Sequence, residues 1–280
     1  MQITVLIENT TRRTDLRAEH GLSLYIRHGG RTWLLDAGAS GAFTANAARL
    51  GLPLDAAEAG ILSHGHYDHG GGLAAFFAGN AHAPVYAMRA AGERYLSGDG
   101  AARHDIGLPD TVLPRYAGRF VWLDGEAAPA PGVTLLPHTT PGLAAVGAAK
   151  KLYRAGGDKP QPDDFRHELT AVFATGAGLV VVNSCSHAGL PVILEEVAAR
   201  FPGRPIRAFV GGLHMRGQRD GREVCAFTAA QMQALADAVR RHGVQAVYTG
   251  HCTGCAGYAA LEPLLGGVMH PLSTGDVLAF

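Results

Sequence analysis

A run of four metal-binding side chains within six residues constrains this chain more than any other feature. His64, His66, Asp68 and His69 directly follow a short apolar stretch at residues 59–62. Imidazole nitrogens and carboxylate oxygens are good ligands for zinc and similar divalent ions. In an extended segment residues 64 and 66 point to the same side, so both can reach one ion, while Asp68 and His69 can face a second. The run therefore predicts a divalent-metal site, and a cluster of ordinary surface histidines is the alternative.

Three later apolar segments each deliver a histidine just past a predicted carboxyl end. His187 follows the strand predicted at 179–183, and His214 and His251 follow similar short apolar strands. In α/β proteins, ligands and catalytic groups collect at the carboxyl ends of strands. We therefore expect His187 and His251 to be metal ligands. His214 is a candidate catalytic residue, with ligand and substrate contact as open alternatives.

Other polar residues near these segments are further candidates for the site, and their roles are open. Cys185 is either a further zinc ligand or a buried apolar cysteine. Glu168 can contact substrate or orient a ligand histidine, and His138 is one more candidate ligand. The Cys252-x-x-Cys255 pair has no second pair to complete a structural zinc site, so packing or loop shaping is its expected role.

The order of predicted elements indicates one α/β domain spanning residues 1–280, with two sheets between helices. Strands come first as hairpins and later alternate with helices. The pattern weakens over 89–131, where we expect a lid or substrate segment. The main elements are strands at 3–7, 22–27, 32–35, 85–88, 132–136, 169–174, 179–183, 206–210, 244–248 and 277–280, and helices at 43–50, 192–201 and 225–242.

Composition narrows the class of partner. Lys plus Arg and Asp plus Glu both number 24, so there is no basic excess of the kind that nucleic-acid binding needs. No apolar run approaches 18 residues, and the first residues have a strand pattern rather than that of a signal peptide. We expect a cytoplasmic protein with reduced thiols and a small-molecule substrate, without a nucleic-acid or membrane partner.

Two motifs of this sequence resemble those of the metallo-β-lactamase superfamily. Residues 64–69 match its His-x-His-x-Asp-His signature, and Asp36-Ala37-Gly38 resembles its Asp-x-Gly element. Four further stretches are similar to the subfamily that includes ribofuranosylaminobenzene 5'-phosphate synthase-like proteins, namely DIGLP (105–109), CSHAG (185–189), GGLH (211–214) and HCTG (251–254). The resemblance covers nearly the whole chain and implies an αββα four-layer sandwich, the metallo-β-lactamase fold.

The resemblance also implies a ligand set for one or two divalent ions. Zinc is the expected metal, with manganese or iron open. Cys185 occupies the place where many superfamily hydrolases have a metal-bridging aspartate, and only His138 lies near the place of a further histidine. One tightly bound ion with a weaker second therefore fits the sequence. The implied ligands are His64, His66, Asp68, His69, His187 and His251.

By the same resemblance we expect a metal-dependent hydrolase that acts on a small substrate, phosphorylated or not, with metal-activated hydroxide. Asp68 would hold the second ion or orient the nucleophile. Thr253, Gly254 and the backbone of Gly211 and Gly212 are candidate contacts for an anionic group. A synthase or transferase with a phosphoribosyl-type donor, an iron-dependent oxygenase, and a non-enzymatic metal or ligand sensor are the alternatives. Substrate and oligomeric state stay open.

Overall fold

The computed structural model describes residues 1–156 and 159–280, which form two compact units. Unit 1 comprises residues 1–127, 137–169 and 273–279, and unit 2 comprises residues 128–136, 170–272 and 280. The predicted metal-binding run lies in unit 1, and the three strand-end histidines lie in unit 2. None of the helices in the described ranges is both long enough and apolar enough to cross a membrane.

The main sheet of unit 1 joins an antiparallel meander to a parallel half. Among the described residues its order is β20 (Val277–Ala279), β1 (Gln2–Ile7), β2 (Ser23–His28), β3 (Arg31–Leu35), β4 (Ala59–Ile61), β5 (Val85–Met88) and β8 (Phe120–Leu123). Strands β3, β4, β5 and β8 run parallel. Since neighbouring parallel strands end at the same edge, Asp36 after β3 and Ser63 after β4 come side by side. The predicted edge strand at 277–280 is confirmed, because among the described residues β20 pairs only with β1 in this sheet.

Helices cover this sheet with aromatic side chains. Within unit 1, α1 (Ala42–Arg49) and α3 (Leu73–Gly79) bury Phe43 and Phe76 completely. They share one apolar cluster with Leu34 and Val85 of the strands. Burying a side chain of this size stabilises the fold by about 1.5–3 kcal/mol. The helices therefore fix the sheet from which Asp36 and Ser63 emerge.

A smaller sheet in unit 1 contains part of the segment 89–131, which has more regular structure than the sequence pattern indicates. Its order is β12 (Gln161–Pro162), β11 (Leu152–Arg154), β6 (Tyr95–Ser97) and β7 (His104–Asp105). Unit 1 also contains the helices α2 (Tyr67–Gly70), α4 (Leu113–Tyr116) and α5 (Leu143–Lys150), of which α4 lies in this segment. The N–H of Tyr67 donates to the carbonyl of Ile106, so the segment supports the metal-binding run. A lid role for this segment stays a prediction.

The sheet of unit 2 contains four parallel strands. Its order among the described residues is β19 (Met269–Pro271), β18 (Val247–Thr249), β15 (Ile206–Val210), β14 (Gly178–Val182), β13 (Leu169–Thr175), β10 (Val133–Pro137) and β9 (Ala127–Ala130). Strands β14, β15, β18 and β19 are mutually parallel. The loops after β14, β15 and β18 therefore leave the sheet at one edge, as expected for His187, His214 and His251.

The helices of unit 2 are α6 (Leu190–Arg200), α7 (Ala229–Arg241) and α8 (Gly254–Leu265). The predicted helix at 225–242 is wrong at its start. Instead β16 (Arg216–Arg219) and β17 (Arg222–Cys225) form a hairpin, and Thr228 begins α7. Thr228 accepts from the Gln231 N–H while the Gln231 side chain accepts from the Thr228 N–H, a capping box that the apolar periodicity does not reveal.

Gly147 allows a test of how tightly α5 packs in unit 1. A Cβ at Gly147 would overlap the carbonyl oxygen of Asp163, whereas a Cβ at Gly79, at the end of α3, would meet nothing within 4 Å. Alanine normally stabilises a helix over glycine by about 0.5–1 kcal/mol. We expect Gly147→Ala to lower the free energy of unfolding by about 1–3 kcal/mol because the backbone must shift. The control Gly79→Ala should leave it unchanged or raise it slightly. Urea unfolding followed by circular dichroism measures both, and equal stability of the two variants would contradict the packing.

Candidate metal centre

A buried carboxylate joins the ends of β3 and β4. Asp36 has a φ of 57°, a left-handed conformation that residues other than glycine rarely adopt. Its Oδ1 accepts from the Ser63 N–H at 2.7 Å, and its Oδ2 accepts from the Ser63 hydroxyl at 2.7 Å. Oδ2 also lies 2.7 Å from His69 Nδ1. Three hydrogen bonds thus hold a strained residue next to the predicted metal ligands.

These hydrogen bonds decide which nitrogen of each imidazole carries the proton. The Ser63 hydroxyl donates to Asp36, so its 2.8 Å contact with His64 Nδ1 requires His64 to be the donor. His69 likewise donates through Nδ1 to Asp36. In the neutral form of both rings, the lone pair is then on Nε2. A metal-binding histidine is commonly oriented in this way, by a hydrogen bond from its second ring nitrogen.

The three histidines of the run pack directly against one another. The His64 ring centroid lies 4.2 Å from that of His69 and 4.6 Å from that of His66. All three are buried. Burial, and in second place the nearby His167, lowers the pKa of His66 to about 3. His66 is therefore neutral at neutral pH, which is the form that binds a metal. The donor chemistry of this cluster fits a divalent ion.

Asp68 lies at the more open side of the cluster. Its Oδ2 is 3.6 Å from His69 Nε2 and 3.2 Å from His20 Nε2. The side chain of His20 is 44% exposed, so solvent reaches this side. The sequence gives no signal for His20, which stands in a loop without any motif. Its contact with Asp68 comes from the fold of residues 8–22 over the start of α2, where the Leu22 N–H donates to the Asp68 carbonyl.

Two further histidines of unit 1 are paired with carboxylates. His138 Nε2 lies 2.8 Å from Glu168 Oε2, and both side chains are buried. Glu168 is thus paired with a histidine outside the run, and its predicted role in orienting a ligand histidine stays a prediction. Its predicted contact with substrate stays a prediction. The other pair is His167 with Asp163, whose ligand atoms and one of His66 all lie within 4.8 Å of one another.

In unit 2 the loops after the parallel strands bring several candidates together. The rings of His187 and His214 are 4.4 Å apart. The His214 N–H donates to Cys252 Sγ at 3.3 Å, and Cys252 Sγ lies 3.6 Å from the Cys185 carbonyl oxygen. His214 and His251 both have a φ of 50°. Strained backbone at the ends of two parallel strands is typical of functional loops.

Cys252 contributes more to this cluster than the sequence indicated. Burial would raise the pKa of its thiol, but hydrogen bonds with Cys185 and His214 bring that pKa well below the usual value. Cys255, by contrast, is exposed, and both are free thiols. The two cysteines of the pair therefore do different things, and Cys252 shapes the loops as expected. His214 Nδ1 is buried, and no partner for it is found in residues 1–156 and 159–280.

The predicted anion contacts at Gly211 and Gly212 are wrong. The Gly211 N–H donates to the Tyr248 carbonyl at 3.0 Å, and the Gly212 N–H donates to the Ser184 carbonyl at 2.8 Å. Both donors are committed to neighbouring strand ends. The glycines are needed instead for close approach, since a Cβ at Gly211 would overlap the Asn183 carbonyl oxygen.

Thr253 is also engaged inside unit 2. Its hydroxyl oxygen accepts from the Leu213 N–H at 2.9 Å and lies 2.6 Å from the Thr249 hydroxyl. Gly254 follows with a φ of 68°, and a Cβ there would lie 2.7 Å from Glu223 Oε1. These contacts tie the loop after β18 to the loop after β15. Substrate contacts of Thr253 and Gly254 stay predictions.

Comparison with known proteins agrees with this geometry. The profile of the metallo-β-lactamase superfamily matches residues 16–201. A relative from Methanocaldococcus jannaschii, the 7,8-dihydropterin-6-methyl-4-(β-D-ribofuranosyl)-aminobenzene-5'-phosphate synthase, is 25% identical over 206 residues. That match covers 69% of this chain and 65% of the relative, so it spans just under two thirds of the relative's length. This match confirms a distant resemblance to the synthase-like subfamily.

Two solved structures show the same fold. Tm1679, described as a metal-dependent hydrolase of the β-lactamase superfamily, has a TM-score of 0.80 and 24% identity, with 100% of this chain and 99% of that chain covered. Zn(2+)-bound PqqB from Methylobacterium extorquens has a TM-score of 0.57 and 14% identity, with 100% of both chains covered. The predicted metallo-β-lactamase fold is thereby confirmed. With two thirds of its length matched by the family profile, this chain belongs to the metallo-β-lactamase superfamily, whose members are largely metal-dependent hydrolases.

Proposed function

We propose that this protein is a metal-dependent hydrolase that cleaves a small, phosphorylated substrate, with zinc as the metal. One observation carries the proposal: Asp36 and Ser63 hold Nδ1 of His69 and His64 and leave Nε2 of each ring as the lone-pair atom. The protein thus presents two imidazoles in the form that a divalent ion binds. The zinc in the PqqB relative supports the choice of metal, and the 5'-phosphate in the synthase's name supports the substrate class.

In unit 1 the proposed ligands are His64, His66, Asp68 and His69. His66 adds a third neutral imidazole, and Asp68 adds a carboxylate at the solvent-facing side. Such a mixed set of nitrogen and oxygen donors suits zinc and also admits manganese or iron. The assignment of His187 and His251 as ligands rests on the sequence resemblance and stays a prediction, and the role of Cys185 stays open.

The chain's own residues would prepare and assist the reaction. A bound divalent ion acidifies its water and polarises the substrate's reacting bond. Asp36 keeps His69 and, through Ser63, His64 in their binding orientation, so no rearrangement is needed during turnover. Asp68 can accept a proton at Oδ2 from the attacking nucleophile. We propose that His214 exchanges a proton at Nδ1, which is buried.

A second candidate is a synthase or transferase that takes a phosphoribosyl-type donor. The match to the Methanocaldococcus synthase favours this candidate, because that relative's name describes a product with a ribofuranosyl group and a 5'-phosphate. In this reaction no water attacks, and the metal would bind the leaving pyrophosphate. The candidate therefore shares the metal centre and differs in the nucleophile.

Turnover in ¹⁸O-labelled water separates the two candidates. Zinc-loaded protein is incubated with bis(p-nitrophenyl) phosphate, and separately with phosphoribosyl pyrophosphate together with an aromatic amine. Hydrolysis predicts one ¹⁸O atom in the product without any need for the amine. Turnover that requires the amine and leaves the organic product unlabelled would overturn the hydrolase proposal in favour of the synthase.

Loss of a ligand should remove metal and activity together. We expect His66→Ala to lower zinc affinity and the hydrolysis rate at least about 100-fold, because a ligand should matter at least as much as a residue that orients one. The matched control is His82→Ala, which removes an exposed histidine and should change neither quantity. Elemental analysis and a chromogenic phosphodiester assay measure the two effects, and full activity of His66→Ala without bound metal would sink the proposal.

Asp36→Asn tests the orienting hydrogen bonds rather than a ligand. An amide has one acceptor oxygen, and Asp36 accepts from Ser63 and His69 through two. With its oxygen turned to the Ser63 N–H, the amide would present N–H to His69 Nδ1 and force the proton onto Nε2. We expect zinc affinity to fall about 10–100-fold, measured by competition with a chromophoric chelator. The exposed control Asp55→Asn should bind as the wild type does, and an unchanged affinity in Asp36→Asn would refute the network.

A further inference from the structure

The backbone N–H of Gly65, between His64 and His66, is buried and needs a hydrogen-bond partner. A Cβ at Gly65 would lie 2.5 Å from the Ala91 carbonyl oxygen, so the backbone here packs directly on the chain that follows β5. The Gly65 N–H donates to His167 Nδ1 at 3.0 Å. Because a backbone N–H can only donate, His167 Nδ1 must carry a lone pair. The position of Gly65 is thus tied to one tautomer of His167.

Asp163 selects that tautomer. His167 Nε2 lies 2.9 Å from Asp163 Oδ2, and it must donate because Nδ1 accepts. Asp163 Oδ1 accepts from the Phe165 N–H at 2.8 Å, which fixes the carboxylate. A carboxylate therefore faces the ring from the side opposite Gly65.

Tyr95 prevents the ring from turning. The rings of Tyr95 and His167 stack with centroids 3.9 Å apart and an angle of 27° between planes. The Tyr95 hydroxyl donates to the Ala90 carbonyl at 2.7 Å, which anchors the stack to residues 89–92. His167 is completely buried. Its orientation is fixed by a hydrogen bond at each nitrogen and by a ring on its face.

His167 is not itself placed to bind a metal. Ligand atoms of His66, Asp163 and His167 lie within 4.8 Å of one another, a grouping that by itself would admit an ion. However, each nitrogen of His167 already has a protein partner. The lone pair of Nδ1 accepts from the Gly65 N–H, and Nε2 carries the proton that is donated to Asp163. The three residues form a support beside the metal-binding run rather than a separate site.

We propose that His167 is a positioning residue that sets the spacing of His64 and His66 through the Gly65 N–H, and that Asp163 acts by holding His167 in its Nε2–H tautomer. The inference rests on the proposed binding of a metal by these histidines. It assigns a function to two residues outside the proposed set of ligands. Shifting Gly65 would move both flanking histidines, because they are its chain neighbours.

Three variants separate the contacts of His167. His167→Phe keeps the stack on Tyr95 but removes both hydrogen bonds, so zinc affinity should fall about 10–100-fold. His167→Asn places an amide oxygen near the position of Nδ1 and should restore affinity to within about threefold of the wild type. Asp163→Asn, with its oxygen on the Phe165 N–H, turns an N–H toward His167 and favours the wrong tautomer. It should therefore resemble His167→Phe although it leaves the histidine in place.

The readouts do not depend on turnover. Zinc affinity comes from chelator competition, and the visible spectrum of the Co²⁺-loaded protein reports the ligand geometry. Long-range ¹H–¹⁵N spectra of metal-free wild type report the His167 tautomer directly, which keeps the test valid if a variant fails to fold. Asp164→Asn is the control, since this neighbouring carboxylate pairs with Arg166 at the surface and should change nothing.

The outcomes distinguish this inference from the proposed function. An unchanged zinc affinity and Co²⁺ spectrum in His167→Phe, or a proton on His167 Nδ1 in the wild type, would overturn the positioning role. If His66→Ala retains its metal, the proposed function fails while the tautomer measurement still stands. A weakened His167→Phe, a rescued His167→Asn and an Nε2–H tautomer together support the inference.

Discussion

The acceptor capacity of the Asp36 carboxylate is the constraint on which the rest of unit 1's site depends. A buried carboxylate without partners is costly, and Asp36 offsets that cost by accepting from Ser63 twice and from His69 once. The parallel pairing of β3 with β4 brings Asp36 and Ser63 together in the first place. Sheet geometry thus determines that Nδ1 of these two histidines donates a hydrogen bond. No local feature of residues 64–69 could do this alone.

The support around the run has two parts that act on different atoms. Asp36 and Ser63 act on side chains, by fixing ring nitrogens of His69 and His64. His167 acts on the backbone, by receiving the Gly65 N–H from 102 residues away in the chain. In the proposed roles, the first part would control the orientation of His64 and His69, and the second would control the distance between His64 and His66.

Much of this could be predicted from the sequence, because the strongest signals are local. The run 64–69 and the strands 85–88 and 206–210 follow from residue type and periodicity, and the fold class follows from the resemblance. His167 and Asp163 could not be predicted, since their roles exist only after Tyr95 and Gly65 have been brought to them. The N–H groups of Gly211 and Gly212 were misassigned for the same reason, because their partners lie at the ends of neighbouring strands. Periodicity also missed the true start of α7, which a side-chain cap determines.

The close packing of the glycines beside the run has a consequence for how the protein matures. A Cβ at Gly71 or Gly72 would overlap the carbonyl oxygens of Ala39 or Ala37, so the chain itself shapes the segment that follows His69. Small zinc domains differ, because there the ion drives folding. Under the proposed function, the packing of the chain itself would hold the ligand side chains in place. The supply of ions, together with their order of affinity, would then select which one is loaded.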